Sequence, residues 1–375
     1  MKRIVVLGST GSVGQQTLDV IRAYPDKFKV VGLAARTNQT QLSQQVDEFQ
    51  PDMVGYSEEL APTPTLLSRK QVSMEEMAAH PDVDLVVIAT VSALAGLSMT
   101  LAAIKAGKTV AMANQEVMIM AGPLLVETAK QHNASLLPVH GALSAVWQCL
   151  RGEPDPVTRV ILTASEGPFV SRAPDVVTRA IRQEARAHPS WRMGKKARVD
   201  GMTLMTTGMQ AILVNSLFGV PYEKIEVILH PEDVVRAMVE FVDGSVKAVL
   251  SQPTLHLTLQ YALSYPERWH NEDVSLLDLV KVGQLTFRPL EIREYPCLAS
   301  ALAAGRGGGT APAVLNAANE VAVLAFLSQQ IGLNEVPKVI SSVLNAHPVV
   351  PNPTLEDIIK ADAWAREEAP RHTVV

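Results

Sequence analysis

The sequence predicts an α/β protein that opens with a Rossmann-like, doubly wound parallel sheet and closes in a small helical domain. Three observations carry that expectation. Strand, glycine turn and helix follow one another in "RIVVLGSTGSVGQQTLDVIRAY". Strand and helix then alternate along the first half of the chain, as βαβ units require. From about Leu298 the text turns rich in Ala and Leu, and "APAVLNAANEVAVLAFLSQQ" keeps helical spacing.

Taken in order, the β-branched run Ile4–Leu7 suits a buried parallel strand, and Val13, Leu18 and Ile21 take up helical spacing after it. Between them Gly8, Gly11 and Gly14 let the backbone pass close to a pyrophosphate, with helix N-terminal amides aimed at it. A glycine triplet alone is weak evidence; as the first βα turn of a chain it is much stronger. Further strands are expected at Val30–Leu33, Leu85–Ile88, Thr109–Met112 and Leu136–Val139, with Gly107 closing the helix that precedes Thr109. The end of the second strand, "GLAARTNQT", holds no acid for a ribose 2′-hydroxyl. It offers Arg36, which favours a 2′-phosphate and so NADP over NAD.

In the second half, "RVILTASEGPF" is a strand running into a loop. "HPSWRMGKK" sets Pro, Trp, Met and Gly in a polar stretch and reads as a lid over 187–197. "TLMTTGMQAILVNSLFG" is an apolar helix closed by Gly219, and "VVRAMVEFVDGSVKAVLSQP" is a hairpin turning at Asp243-Gly244.

Composition sets the outer bounds. A chain of 375 residues exceeds one small core, so two or three domains are expected. A net charge of −5 argues against nucleic acid or an anionic membrane as partner, since both demand clustered Lys and Arg. No apolar run approaches the ~20 residues of a membrane span. Two cysteines, Cys149 and Cys297, leave no disulfide framework or cysteine-based zinc site. "MKR" leads straight into a strand without a signal-peptide pattern, so the expected location is cytoplasmic and the expected partner a small-molecule substrate. His80, His132, His347 and His372 read as surface groups and His230 as structural; His256 and His270 lack metal-ligand spacing.

The motifs "GSTGSVG", "AGKTVAMANQE", "PVHGALSAVWQ", "TASEGPF", "HPSWRMGKK", "HPEDVV", "SYPERW" and "APAVLNAANE" occur in that order. Over nearly its whole length the chain resembles the 1-deoxy-D-xylulose 5-phosphate reductoisomerase family, NADPH- and divalent-metal-dependent enzymes of non-mevalonate isoprenoid biosynthesis. The resemblance implies an NADP-binding domain over 1–150, a central catalytic-type α+β domain over 151–275 with the lid, a linker over 276–297 and a C-terminal helical bundle over 298–375, as a homodimer. It implies cofactor contacts from Thr10, Gly11, Ser12, Val13, Asn38, Asn114, Glu116 and Met193, beside Gly8 and Arg36. It also implies substrate contacts from Ser165 and His188, with Trp191 kept in the lid.

The departures fall on the chemistry. The family's metal motif PVDSE becomes "PVHGA", so His140 and Ala142 stand where its aspartate and glutamate would be, with Gly141 for the serine. The third carboxylate, at the end of an MNKGLE-like motif, becomes Gln210 in "MTTGMQ". Hard cations need anionic oxygens, so a divalent metal is not expected here and no metal ligand is assigned. Of the family's phosphate contacts, a serine, an asparagine and a lysine correspond to Gly201, Thr206 and Thr207, and a lysine near the nicotinamide to Gln115. Loss of lysine removes a charge-assisted partner of a dianion, while threonine hydroxyls still donate.

Glu166 is new beside Ser165, and with His140 it could form an acid–base pair for metal-free hydride transfer. The plainer alternative makes Glu166 a solvent-facing carboxylate and His140 a hydrogen-bonded strand-end histidine. The leading expectation is an NADP(H)-dependent oxidoreductase with altered, metal-independent chemistry on a different substrate, in which a phosphate is disfavoured but not excluded. The alternatives are the authentic family reaction through compensating ligands and a catalytically silent NADPH-binding protein.

Overall fold

The computed structural model describes residues 1–57, 62–90, 93–153, 157–165 and 194–373. They form two compact units. The first comprises Met1–Met118, Pro123–Ser144 and Pro253–Leu276; the second comprises Ile119–Gly122, Ala145–Gln252 and Leu277–Val375.

The first unit is built on a parallel sheet of seven strands: β1 (Lys2–Leu7), β2 (Phe28–Ala35), β3 (Met53–Tyr56), β4 (Lys70–Gln71), β5 (Leu85–Ile88), β6 (Thr109–Met112) and β7 (Ser135–Pro138). Their order is β4-β3-β2-β1-β5-β6-β7. The chain winds outward from β1 first one way and then the other, so the switch point lies between β1 and β5. Ile4 to Leu7 and Val86 to Ile88 are fully shielded, as expected of strands covered on both faces. The helices along this half are α1 (Ser12–Ala23), α2 (Gln39–Phe49), α3 (Pro64–Leu67), α4 (Met74–Ala79), α5 (Ala93–Lys105) and α6 (Gln115–Gln131). α4 starts on a reciprocal Ser73–Glu76 cap. α6 breaks at Ala121, two residues ahead of Pro123, whose ring crowds the preceding turn and which has no amide to donate.

Residues 253–276 belong to this first unit, whereas the sequence placed them with the central strands. The reason lies in long-range contacts. The helix Leu255–Ser264 packs on α1, and Lys2 Nζ donates to the carbonyls of Leu263 and Tyr265, each at 2.8 Å. Burial there lowers the Lys2 pKa. Trp269 lies against Tyr24 and Phe28 with ring centroids 5.0 and 5.4 Å apart.

The second unit holds a mixed five-stranded sheet of β8 (Val157–Ala164), β9 (Ile225–Leu229), β10 (Val235–Phe241), β11 (Val246–Leu250) and β12 (Arg288–Pro289), ordered β11-β10-β8-β9-β12. β8 and β9 are parallel and need a crossover, which includes the helices Lys195–Met202 and Met205–Phe218. The β10–β11 hairpin turns at Asp243-Gly244 as the sequence predicts, with Asp243 Oδ1 accepting from the Ser245 amide at 2.9 Å. His230 is fully buried and structural: its Nε2 accepts from the amides of Val234 and Val235, and its Nδ1 donates to the Thr286 carbonyl at 2.9 Å.

The Ala-rich helix Ala311–Leu327 is shielded on nearly every side by the helices Pro296–Gly307, Val336–Ala346 and Leu355–Glu368. Arg366 joins it to the last of these, bonding Asp362 at 2.7 Å and Glu320 at 2.9 Å. His347 is a correction to the surface reading. It is half-buried, its ring lies 5.0 Å from Trp364, and its Nε2 is 2.7 Å from Thr310 Oγ. Among the described residues no helix is long and apolar enough to cross a membrane.

Candidate functional site

In the first unit the predicted cofactor residues gather at the C-terminal ends of the strands. Gly8 follows β1 with φ +93°, and a Cβ there would sit 2.5 Å from the Ala89 carbonyl oxygen. A Cβ on Gly14 would lie 2.2 Å from Gly8 O and 2.6 Å from Ser9 Cα. α1 therefore starts hard against the strand end, a closeness only glycine permits. Gly11 is its N-cap and makes no side-chain cap, so the first amides of the helix are not consumed by the cap. Thr10, Gly11, Ser12 and Val13 are half-buried around this turn, and the amides of Gly8 and Ser9 donate to Ala34 O at 2.8 and 2.9 Å.

Arg36 is exposed just beyond β2. Asn38 caps α2 by accepting from the Gln41 amide at 3.1 Å, which fixes the corner that carries the arginine. Asn114 is buried and fully engaged: its Oδ1 caps α6 through the Val117 amide at 3.1 Å, and its Nδ2 donates to Thr90 O at 2.7 Å. It orients the ends of β5 and β6, a role the sequence reading did not give it. Glu116 is half-buried in the first turn of α6. β6 and β7 are neighbours with Met112 opposite Pro138, so Asn114 and Glu116 stand at the strand end next to His140, Gly141 and Ala142. His140 is half-buried and its carbonyl accepts from the Ser144 amide at 2.8 Å, opening the helix Gly141–Leu150. Ala142 is buried, a methyl in the core.

In the second unit Ser165 is exposed just after β8. Thr206, Thr207 and Gln210 all lie in the first two turns of Met205–Phe218, where Thr206 and Gln210 share a face four residues apart. Thr207 and Gln210 are buried. Gly201 lies in the last turn of the preceding helix, and a Cβ there would meet nothing within 4 Å. Its neighbour Asp200 is buried and accepts from Lys196 Nζ at 2.8 Å and Asn319 Nδ2 at 2.9 Å. Asn319 of "LNAANE" is thus a hydrogen bonder in the helical region, as the sequence suggests. Glu166, His188, Trp191 and Met193 lie outside the described residues, as does most of 187–197.

The three positions that the resemblance links to metal carboxylates carry an imidazole, a buried methyl and a buried amide. Among the described residues no three His, Cys, Asp or Glu side chains gather as a ligand set. An imidazole, a methyl and a neutral amide are not the anionic oxygens that hard divalent cations usually take. The dinucleotide turn, by contrast, keeps the close approach of strand and helix that such a turn needs, since a Cβ on Gly8 or Gly14 would strike backbone.

Sequence reasoning missed Ser9, Gln45 and Thr90, which brace these elements. Gln45 left a signal, because it shares the buried stripe of α2 with Leu42 and Val46, where a polar side chain needs a partner.

Comparison with known proteins agrees with this architecture. Residues 4–122 match the model of 1-deoxy-D-xylulose 5-phosphate reductoisomerase, 136–218 that of its C-terminal domain, and 250–368 that of the DXP reductoisomerase C-terminal domain. The reductoisomerase of Pelotomaculum thermopropionicum is 44% identical, covering 98% of this chain and 97% of its own. That of a Synechococcus strain is 42% identical over 98% and 96%. The Zymomonas mobilis reductoisomerase, solved with NADPH, superposes with a TM-score of 0.89 at 32% identity over 99% of both chains. A reductoisomerase solved with NADPH, fosmidomycin and magnesium gives 0.91 at 33%, covering 100% of this chain and 98% of that one. The chain belongs to the 1-deoxy-D-xylulose 5-phosphate reductoisomerase family.

Proposed function

We propose that this chain is an NADP(H)-dependent oxidoreductase that transfers hydride without the family's divalent metal, on a substrate other than the family's phosphosugar. One observation carries the reading: the carboxylate positions hold His140, Ala142 and Gln210 while the dinucleotide turn is intact. In this reading the amides of Thr10 to Val13 receive the cofactor's pyrophosphate, and Arg36 pairs with its 2′-phosphate beside Asn38. Asn114 and Glu116 shape the nicotinamide end, with Met193 from the lid. When bound, NADPH would supply the hydride to a carbonyl carbon. Protonated His140 would give its proton to the carbonyl oxygen as that oxygen becomes a hydroxyl, and Glu166 would compensate the charge on its ring. Ser165, Thr206, Thr207 and Gln210 offer neutral hydrogen bonds, which suit an uncharged polar group better than a phosphate dianion. His188 adds a substrate contact, as the resemblance implies, beside Trp191 of the same motif.

A second reading, the authentic reductoisomerase reaction, is favoured by the comparisons. Relatives 42–44% identical over nearly the full chain carry that name, and a solved relative binds magnesium. The comparisons lend no separate support to a different substrate. The second reading requires ligands other than the three positions above, with Glu166 a candidate.

The test is NADPH binding by nicotinamide fluorescence, followed by NADPH consumption with deoxyxylulose phosphate and a panel of ketones and aldehydes, each with chelator and with Mn²⁺. Saturable binding and chelator-insensitive turnover of a carbonyl compound are expected. Mn²⁺-dependent conversion of deoxyxylulose phosphate establishes the second reading instead, and binding without any turnover marks a silent binder. A homodimer, a cytoplasmic location and the four-part division of the chain complete the proposal; light scattering of the purified protein tests the first.

A further inference from the structure

Ser9, in the middle of the glycine turn, is wholly buried, and each of its polar atoms is held. Its amide donates to Ala34 O at 2.9 Å, its Oγ donates to Gln45 Oε1 at 2.7 Å, and its carbonyl accepts from Gln45 Nε2 at 3.0 Å. Gln45 is itself buried on α2. Two other glutamines also brace the turn, Gln15 on Thr10 O and Gln16 on Ser12 O, both from α1, the turn's own helix.

Gln45 ties the turn to the body of α2, whose N-terminal end is the Asn38 cap two residues beyond Arg36. The seven-residue rise from Asn38 to Gln45 spans about 10 Å at ~1.5 Å per residue. α2 is thus a strut with the arginine corner formed at its start and the glycine turn bonded about two turns further along, at Gln45. We propose that Gln45 is a positioning residue that sets the distance between the pyrophosphate turn and the 2′-phosphate corner, and so contributes to preference for NADPH over NADH. This rests on the NADPH-binding reading above.

Preorganisation of this kind acts on the ligand that spans both ends. NADPH engages the turn and the corner, whereas NADH lacks the 2′-phosphate and engages the turn alone. Releasing the strut should therefore weaken NADPH more than NADH. A glutamine that merely satisfied a buried serine would affect both nucleotides equally, in step with stability.

The experiment measures melting temperature and the Kd of both nucleotides for the full chain and three variants. Gln45→Met keeps the volume and removes both bonds, Gln45→Glu keeps the acceptor for Ser9 Oγ, and Ser9→Ala/Gln45→Met removes the stranded hydroxyl. Gln45→Met is expected to lose about tenfold in NADPH affinity, about one hydrogen bond's worth, and less than about threefold in NADH affinity. Gln45→Glu should fall between it and wild type, which keeps the proposal testable if the methionine variant fails to fold. The double variant should regain melting temperature and not nucleotide preference. Equal losses for the two nucleotides, or a preference that recovers with melting temperature, overturn the inference. Wild-type protein that binds neither nucleotide overturns the cofactor reading and the inference with it; wild type that prefers NADPH beside an indifferent Gln45→Met overturns the inference alone.

Discussion

Gly14→Ala separates two opposed effects whose sizes the structure fixes. Inside a helix the substitution should stabilise by about 1 kcal/mol, because alanine is the better helix former. Against this, the new methyl would lie 2.2 Å from Gly8 O and 2.6 and 2.7 Å from Ser9 Cα and C. All three are backbone atoms, so no side chain can swing aside; α1 must move away from the end of β1. Overpacking of this sort costs about 1–3 kcal/mol, and rigid surroundings on both sides place it at the upper end. The expected net loss is about 1–2 kcal/mol, which lowers the melting of a unit of this size by about 2–8 °C. NADPH affinity should fall with it, since the displaced helix carries the amides of Ser12 and Val13. Gly201→Ala is the control: nothing lies within 4 Å of its Cβ, so propensity acts alone and the variant should be slightly more stable than wild type. Differential scanning fluorimetry and a nucleotide titration on both variants read the result. A Gly14→Ala protein as stable as Gly201→Ala, with wild-type NADPH affinity, would refute the reasoning.

Other expectations follow from single contacts. Arg366→Met leaves Asp362 buried without its cation, which costs about 3–5 kcal/mol for a fully enclosed pair; the partly open guanidinium places this one at the lower end, read by urea denaturation. Burial lowers the pKa of His347 from its ordinary value near 6.5, so between the two values the unfolded chain binds the extra proton. Stability should therefore be full above about pH 6.5 and decline below it, and His347→Gln should flatten that dependence in a series of melting curves. Protonation would also remove the lone pair that faces Thr310 Oγ, whose oxygen accepts from the Val350 amide. The triple change His140→Asp, Ala142→Glu, Gln210→Glu restores three anionic oxygen donors and should create Mn²⁺ affinity by calorimetry where the parent shows none.

How much of this was legible in the sequence depended on the range of the contacts. Leu85–Ile88 and Thr109–Met112 match the expected strands residue for residue, because strands buried on both faces read as unbroken apolar runs. Met53–Tyr56 and Lys70–Gln71 escaped notice: the first is four residues with a glycine, and the second is a two-residue exposed edge without a hydrophobic pattern. Residues 253–276 looked continuous with the hairpin before them, and contacts more than two hundred residues away, with α1 and with Lys2, Tyr24 and Phe28, draw them into the first unit. The glycine turn was legible because its chemistry is local. Its brace was not, since Ser9 and Gln45 are 36 positions apart. Asn114 was found by resemblance, yet its observed work is to cap a helix and hold Thr90. Glu166 and His188, on which the acid–base and lid readings depend, lie outside the described residues.

The proposed function turns on whether this chain, with His140, Ala142 and Gln210 at the positions the resemblance links to carboxylates, takes up a hard dication. Titration of Mn²⁺ into the NADPH-loaded protein, followed by electron paramagnetic resonance of the free ion, tests it without reference to any substrate. The account predicts that free Mn²⁺ rises in proportion to what is added, as in buffer. Stoichiometric uptake of one ion per chain that is lost in Gln210→Ala or His140→Ala would contradict it.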